Sequence, residues 1–258
     1  MKKLKPIASI WAVLFLALAS LAQPAFAGDG AKAKYLVEMI EVNPATGSEW
    51  NDGWENLNSL AEEGDYPFRE TVLVGQGKRW IVTKVDDYAG LDKLMMARDK
   101  YAKKHGKKFD RAIAKMDGAT SNSDSFISAL DDELSYRPEG QTRGAYTKIE
   151  THYFRAGSHE KMAKVGADFK ALAASLDSPT GWDVWWNGVG SPGSSVTLIS
   201  WADSPLAMAQ ADANDQKLFA TKQKEVDAIV KDFTDILVRT TTEYAMFKPE
   251  MSMNLEDN

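Results

Sequence analysis

The sequence predicts an α+β fold of two tandem βαββαβ units whose antiparallel sheets pack face to face to form a barrel. Three observations carry this expectation. Gly181–Pro205, GWDVWWNGVGSPGSSVTLISWADSP, reads as a β-hairpin in which a Gly/Ser/Pro turn joins an aromatic strand to a β-branched one. Pro67–Tyr88, PFRETVLVGQGKRWIVTKVDDY, has the same grammar, with Val74-Gly75 where the other has Val189-Gly190 and Val85-Asp86 where it has Ala202-Asp203. Around each hairpin a strand and a helix come before, and a helix and a strand after. A four-stranded sheet with helices on one face leaves the other bare, and two copies bury bare face against bare face.

At 258 residues and 44% hydrophobic, the chain is long enough for a core in each half. Residues 1–27 are expected to be a signal peptide. Lys2, Lys3 and Lys5 make a basic start, Ile7–Ala22 is almost wholly apolar, and Ala25-Phe26-Ala27 has the small-x-small form of a cleavage site. A periplasmic or secreted location follows, with no stable membrane anchor once the leader is cut after Ala27. Without cysteine there is no lipoprotein anchor, disulfide framework, thiolate metal site or cysteine nucleophile. Removing the three leader lysines takes the formal charge from −6 to −9, which argues against a nucleic-acid partner.

Tyr35–Val42 reads as a strand ended by Asn43-Pro44. Thr46-Gly47-Ser48-Glu49 fits a capping box, and Trp50, Trp54, Leu57 and Ala61 fall on one helical face that should end near Gly64. After the first hairpin, Phe68–Val85, Asp86 or Asp87 caps a helix with Leu91, Leu94, Met95 and Tyr101 on its apolar side. Phe109, Ile113 and Met116 mark a short helix. Asp117–Ser125 reads as a polar loop and Phe126–Leu130 as a last helical turn or two before a strand at Glu133–Arg137. Pro138–Gly144 divides a first repeat, 34–139, from a second, 145–250. There Tyr146–Phe154 is a strand, Ser158 caps a helix bearing Met162, Val165, Phe169, Leu172 and Leu176, and the second hairpin follows. Ser204-Pro205 opens another helix, Leu218-Phe219 lies in a less regular connection, and Val226, Ile229, Val230, Phe233 and Leu237 mark the final helix before the strand Val238–Phe247. Residues 251–258 are expected to form a loose tail.

This order, together with the hairpin echo, resembles the dimeric α/β-barrel (ferredoxin-like) superfamily in a single-chain, tandem pseudo-dimer form. That superfamily includes the NIPSNAP-like proteins, the antibiotic-biosynthesis-type monooxygenases and the chlorite dismutase-like haem proteins. The resemblance covers about Tyr35–Glu250. It implies that the two repeats pair with each other, leaving further oligomerisation open. The first functional expectation is a periplasmic binding or accessory protein that holds a small, partly aromatic or apolar ligand between the sheets. The monooxygenase branch implies, as an alternative, a cofactor-independent oxygenase. The chlorite dismutase-like branch implies haem, for which only His105 stands on a suitable helix. A non-catalytic interaction scaffold is the remaining reading, and the residues themselves name no cofactor.

Aligning Val42-Asn43 with Phe154-Arg155 matches Glu38 to Glu150. Alternation puts Leu36, Glu38 and Ile40 on one face of the first strand and Lys148, Glu150 and His152 on the matching face of the other. The opposite sets, Val37 and Met39 with Ile149, Thr151 and Tyr153, are more apolar and are expected to face the helices. Glu38, Lys148, Glu150 and His152 are then expected to line the space between the sheets. Glu150 and His152 form a candidate acid–base pair, against the plainer reading of a satisfied polar network. Trp80, Trp182, Trp185, Trp186 and Trp201 all fall in the hairpins and, with Asn187 to orient a ligand, form a candidate aromatic pocket; the plainer reading is core anchors.

Three histidines make no metal site, and His105 and His159 are expected at solvent-exposed helix ends. Lys93–Lys115 is locally basic and reads as a solvated helix face. Gly75-Gln76-Gly77 and Gly188-Val189-Gly190 lie in hairpin turns, so neither is a dinucleotide or phosphate loop.

Overall fold

Hydrogen bonding at the sheet edges, rather than the stacking of two separate sheets, makes the barrel. The computed structural model describes residues 33–64 and 66–254, so the leader expected over 1–27 lies outside the described residues. The strands are β1 (Lys34–Val42), β2 (Glu70–Gly75), β3 (Lys78–Lys84), β4 (Thr120–Tyr136), β5 (Tyr146–Phe154), β6 (Trp182–Asn187), β7 (Ser195–Ala202) and β8 (Leu237–Phe247). They form one closed antiparallel ring in the order β1-β3-β2-β8-β5-β7-β6-β4. Two seams close it. β2 meets β8 from Leu73↔Phe247 to Gly75↔Ala245, and β4 meets β6 through Ser128↔Asn187 and its neighbours. No free edge remains on the ring.

Among the described residues six α-helices complete the α+β fold: α1 (Gly47–Gly64), α2 (Tyr88–His105), α3 (Lys107–Ala119), α4 (His159–Ser175), α5 (Pro205–Ala220) and α6 (Gln223–Ile236). On α1 the predicted stripe packs as expected: Trp50, Trp54, Leu57 and Ala61 are all buried, and Trp50 is wholly shielded from water. Asp87 caps α2 by accepting a 2.7 Å hydrogen bond from the Gly90 amide, and Ser204 caps α5 by accepting one from Ala207. Gly106, at φ +49°, turns the chain from α2 into α3.

Several local expectations need correction. The segment read as a polar loop and helical turns, Asp117–Leu130, is the end of α3 followed by most of β4, a 17-residue strand. Its serines and aspartates carry no strand signal of their own; pairing with β1 from Lys34↔Ala129 to Val42↔Thr120 imposes it. The Thr46 capping box does not form, and the Thr46 hydroxyl has no hydrogen-bond partner among the described residues. Ser158 precedes α4 without a side-chain capping bond, and Leu218 and Phe219 continue α5. The tail expected to be loose is anchored through Met253. Met251 and Met253 are buried, the Trp54 indole donates to the Met251 carbonyl, and the Val72 amide donates to the Ser252 hydroxyl.

Gly75 lies in the shorter seam, between β2 and β8. A Cβ there would lie 2.7 Å from the Tyr244 carbonyl oxygen and 2.7 Å from the Trp80 ring. Gly75→Ala is expected to destabilise the fold by about 1–3 kcal/mol, read as a lower urea midpoint at unchanged m-value.

Candidate functional site

Register decides which side chains face inward, and it reverses one expectation. The barrel interior is lined by Val37, Met39, Ile149, Thr151 and Tyr153, the set expected to face the helices. Glu38, Lys148, Glu150 and His152 therefore point outward, under the helices and not between the sheets. The physical reason is that the helices supply partners for them. The Arg98 guanidinium, on α2 and only 7% exposed, forks onto Glu38 at 3.1 and 2.6 Å and reaches Glu70 at 2.8 Å. Burial alone would lower the proton affinity of Arg98, but Glu38 and Glu70 hold its charge firmly in place. Tyr66 donates to the same Glu70 oxygen at 2.7 Å, and burial beside that carboxylate pushes the phenol far up. Arg98, counted within the basic run expected to be solvated, is thus a core residue.

In the second half the matching face is more open. Lys148 bridges Asp212 of α5 at 3.1 Å and Glu150 at 3.3 Å. Burial opposes its charge, yet the two carboxylates raise its pKa overall. His152 lies edge-on to Phe233 of α6, ring centroids 5.1 Å apart, and its Nδ1 pairs with the Thr240 hydroxyl at 3.0 Å. Burial, only partly offset by Glu150, pulls the His152 pKa down, so the imidazole is neutral at neutral pH. Its Nε2 has no hydrogen bond among the described residues. If Nδ1–H donates to Thr240, Nε2 presents a lone pair; in the other tautomer it presents a proton.

Glu150 and His152 form the polar edge of a cavity of about 260 Å³ between α4, α6 and the outer face of β5, β6 and β7. The rest of its wall is apolar and aromatic, with Trp182 and Trp186 from β6, Phe169 and Met162 from α4, and Phe233 from α6. Trp186 is held by donating to Asp131 at 2.9 Å and by stacking against His159. Gly166 lines the same cavity, and a Cβ there would meet only Leu134 side-chain atoms, the nearest at 3.5 Å. Two candidate catalytic residues and two candidate ligand-binding tryptophans thus meet at one place, on the opposite side of the sheet from the one expected. His159 is half-buried against Trp186 and Phe154, and His105 is half-buried beside Tyr101, so neither is the exposed helix-end residue its position suggested.

Trp80, Trp185, Asn187 and Trp201 face the barrel interior instead. Trp80, Trp185 and Asn187 line a second cavity of about 270 Å³ there. Trp201 lies toward the other end, under the Arg143 guanidinium at 4.8 Å. The hairpin echo also misaligned the halves. Across β1, β3 and β2 one rung is Met39–Trp80–Leu73; across β5, β7 and β6 the rung in step with it is Thr151–Thr197–Trp185. Leu73, not Glu70, therefore corresponds to Trp185. Matching the Val-Gly dipeptides slips the register by three residues, and an odd slip exchanges the faces.

Asp212, Thr240, Met162, Phe233 and Gly166 were not singled out as site residues. Asp212 and Thr240 become partners only through packing of α5 and pairing of β8 with β5. Among the described residues there is no group of three or more His, Asp or Glu able to hold a metal, and no helix is long and apolar enough to cross a membrane.

No protein-family model and no curated protein matches the sequence. Solved structures do match. An anthrone oxidase-like protein superposes with a TM-score of 0.58 at 15% identity, over 85% of this chain and 92% of its own. A proposed monooxygenase from Lactobacillus acidophilus NCFM superposes with a TM-score of 0.50 at 7% identity, over 86% and 96%. At such identities the likeness is one of fold alone, that of the closed eight-stranded barrel with its outer helices described above.

Burial lowers the pKa of both His152 and His159 below the ordinary 6.5. The unfolded chain then binds more protons than the folded one just below 6.5, so stability is complete above that pH and falls as pH drops toward the folded values. Urea midpoints measured from pH 7.5 down to 5 are expected to decline, and the decline should be shallower in His152→Asn/His159→Asn.

Proposed function

We propose that this chain is an exported binding protein that holds a small, flat, partly aromatic or apolar ligand beneath α4 and α6, with His152 and Glu150 orienting its polar edge. The carrying observation is the difference between the two helix layers. Over the first half, α1 to α3 pack onto the sheet around Trp50, Trp54 and Leu94 and leave a dense core. Over the second half, α6 buries only Ile236 and leaves Val230 49% exposed beside an open apolar cavity. An apolar helix face that water can reach is unfavourable unless something covers it. Trp182, Trp186 and Phe169 suit a planar occupant, and an anthrone, the compound class in the name of one structure of the same fold, is a flat tricyclic aromatic.

A second reading, a cofactor-independent oxygenase, is favoured by one observation, the place of the His152 imidazole on the cavity wall, with Nδ1 engaged by Thr240 and Nε2 left without a partner among the described residues. There it would take a proton from a phenol or activated C–H of an electron-rich substrate. We also read the halves as tandem ferredoxin-like repeats, 34–139 and 145–250. Each runs β-α-β-β-α-α-β and bonds its strands in the order fourth, first, third, second. The leader of three lysines, an apolar run and Ala25-Phe26-Ala27 supports export.

Native mass spectrometry of protein secreted or drawn from the periplasm tests the reading. The chain is expected to begin at Gly28 and to carry a small aromatic mass; an apo mass alone across several growth conditions would overturn tight ligand binding. Gly166→Ala is expected to raise stability by about 0.5–1 kcal/mol, since Gly is a poor helix interior residue and the space is open. Gly166→Phe should displace the co-purifying mass.

A further inference from the structure

The barrel interior contains a second, separate cavity with its own chemistry, built in three levels. Its floor is apolar: Val37, Trp80, Ile149 and Ile199 close it from below. Above them lies a belt of neutral polar groups, in which Asn187 is held by Ser128, Ser195 and Thr197 and so keeps a fixed amide. The buried Nε1–H of Trp185, on the cavity wall, has no acceptor among the described residues. An indole N–H out of contact with water and without a partner is an unmet donor.

The mouth carries charge. Lys78 is committed to Glu243, with Glu41 further off at 3.8 Å. Arg239 is not committed to any carboxylate among the described residues. Its guanidinium lies 3.9 Å above the Tyr153 ring, which fixes it at the rim by a cation–π contact while leaving its donors in solvent. Asp124 faces the same opening from β4, across the ring from β8. An apolar floor, an unpaired indole donor midway and a guanidinium held at the rim define a site for an anionic amphiphile. The volume of about 270 Å³ suits a small one, near the lower end of ligand pockets.

The geometry points to a second binding site inside the barrel, for a small monocarboxylic acid with an apolar or aromatic body, its carboxylate on Arg239 and its body on the floor of Val37, Trp80, Ile149 and Ile199. This site does not rest on the ligand proposed beneath α4 and α6. The two cavities open on opposite faces of the sheet.

Octanoate and phenylacetate are suitable probes, each with ten non-hydrogen atoms, compared with octanol and octylamine by isothermal titration calorimetry on the leader-free chain. Octanoate is expected to bind more tightly than octanol, and octylamine most weakly. Arg239→Gln, at an exposed position, should weaken octanoate about tenfold or more and leave octanol unchanged. Thr241→Trp at the mouth should abolish both, whereas Gly166→Phe, on the other side of the sheet, should leave both intact. The proposal fails if octanoate does not bind, if octylamine binds more tightly and its binding falls in Asp124→Asn, if Arg239→Gln binds octanoate like the parent, or if Gly166→Phe removes octanoate binding.

Discussion

In a closed ring of strands the parity of one residue settles the side of its neighbours along every unbroken stretch of ladder, because alternate side chains point in and out and no edge exists at which the register can slip freely. Here the buried pairing of Arg98 with Glu38 and Glu70 pins that parity. An arginine brought under the helices by α2 needs carboxylates on the outer face of β1 and β2, and leaving it unpaired there would cost several kcal/mol. Once Glu38 points out, Val37 and Met39 point in, and the ladders carry the choice through β3 to the rest of the ring. The interior cavity and the helix-side cavity are both consequences of this one assignment.

Most of the architecture was legible because long periodic segments declare themselves. The stripe on α1, the capping aspartate of α2 and the two hairpins all fell where their patterns put them. The failures share a cause: they concern elements whose state is set by a distant partner. β4 is polar along its first half and becomes a strand by pairing with β1, and Met251–Met253 is ordered by docking on Trp54 and Val72. The residues of the helix-side site were found in part, since Glu150, His152, Trp182 and Trp186 stand out by type. Their side of the sheet was misjudged because Arg98 sat in a run of surface lysines with nothing local to mark it as buried. The apolarity of a strand face does not decide its side here; the buried charge that α2 brings to the outer face does.

The two halves of the ring differ in what their outer faces hold. Where β1 presents Leu36, Glu38 and Ile40, β5 presents Lys148, Glu150 and His152. In the first half a single charge sits among apolar neighbours and is sealed by Arg98, and tryptophans from α1 fill the remaining space. In the second, three polar side chains in a row leave less apolar area for helices to cover, and the tryptophans come from the sheet instead. Trp182 packs on Phe169 and Trp186 on His159, so the aromatic mass lies on the cavity wall and not across it. The same number of layers therefore gives a solid core on one side and a receptive one on the other.

β6 makes the relation between the two cavities explicit. Trp185 and Trp186 are neighbours in sequence, yet one lines the barrel and the other the space beneath the helices. β5 divides in the same way, with Ile149, Thr151 and Tyr153 inward and Glu150 and His152 outward. A substitution on one face alters one cavity directly and reaches the other only by moving backbone, and these strands are each hydrogen-bonded on both edges within a ring, which resists such movement. The strand that builds both sites thus also insulates them. The two cavities can differ in ligand chemistry, one offering an imidazole among indoles and the other a guanidinium above an apolar floor, without either constraining the sequence of the other.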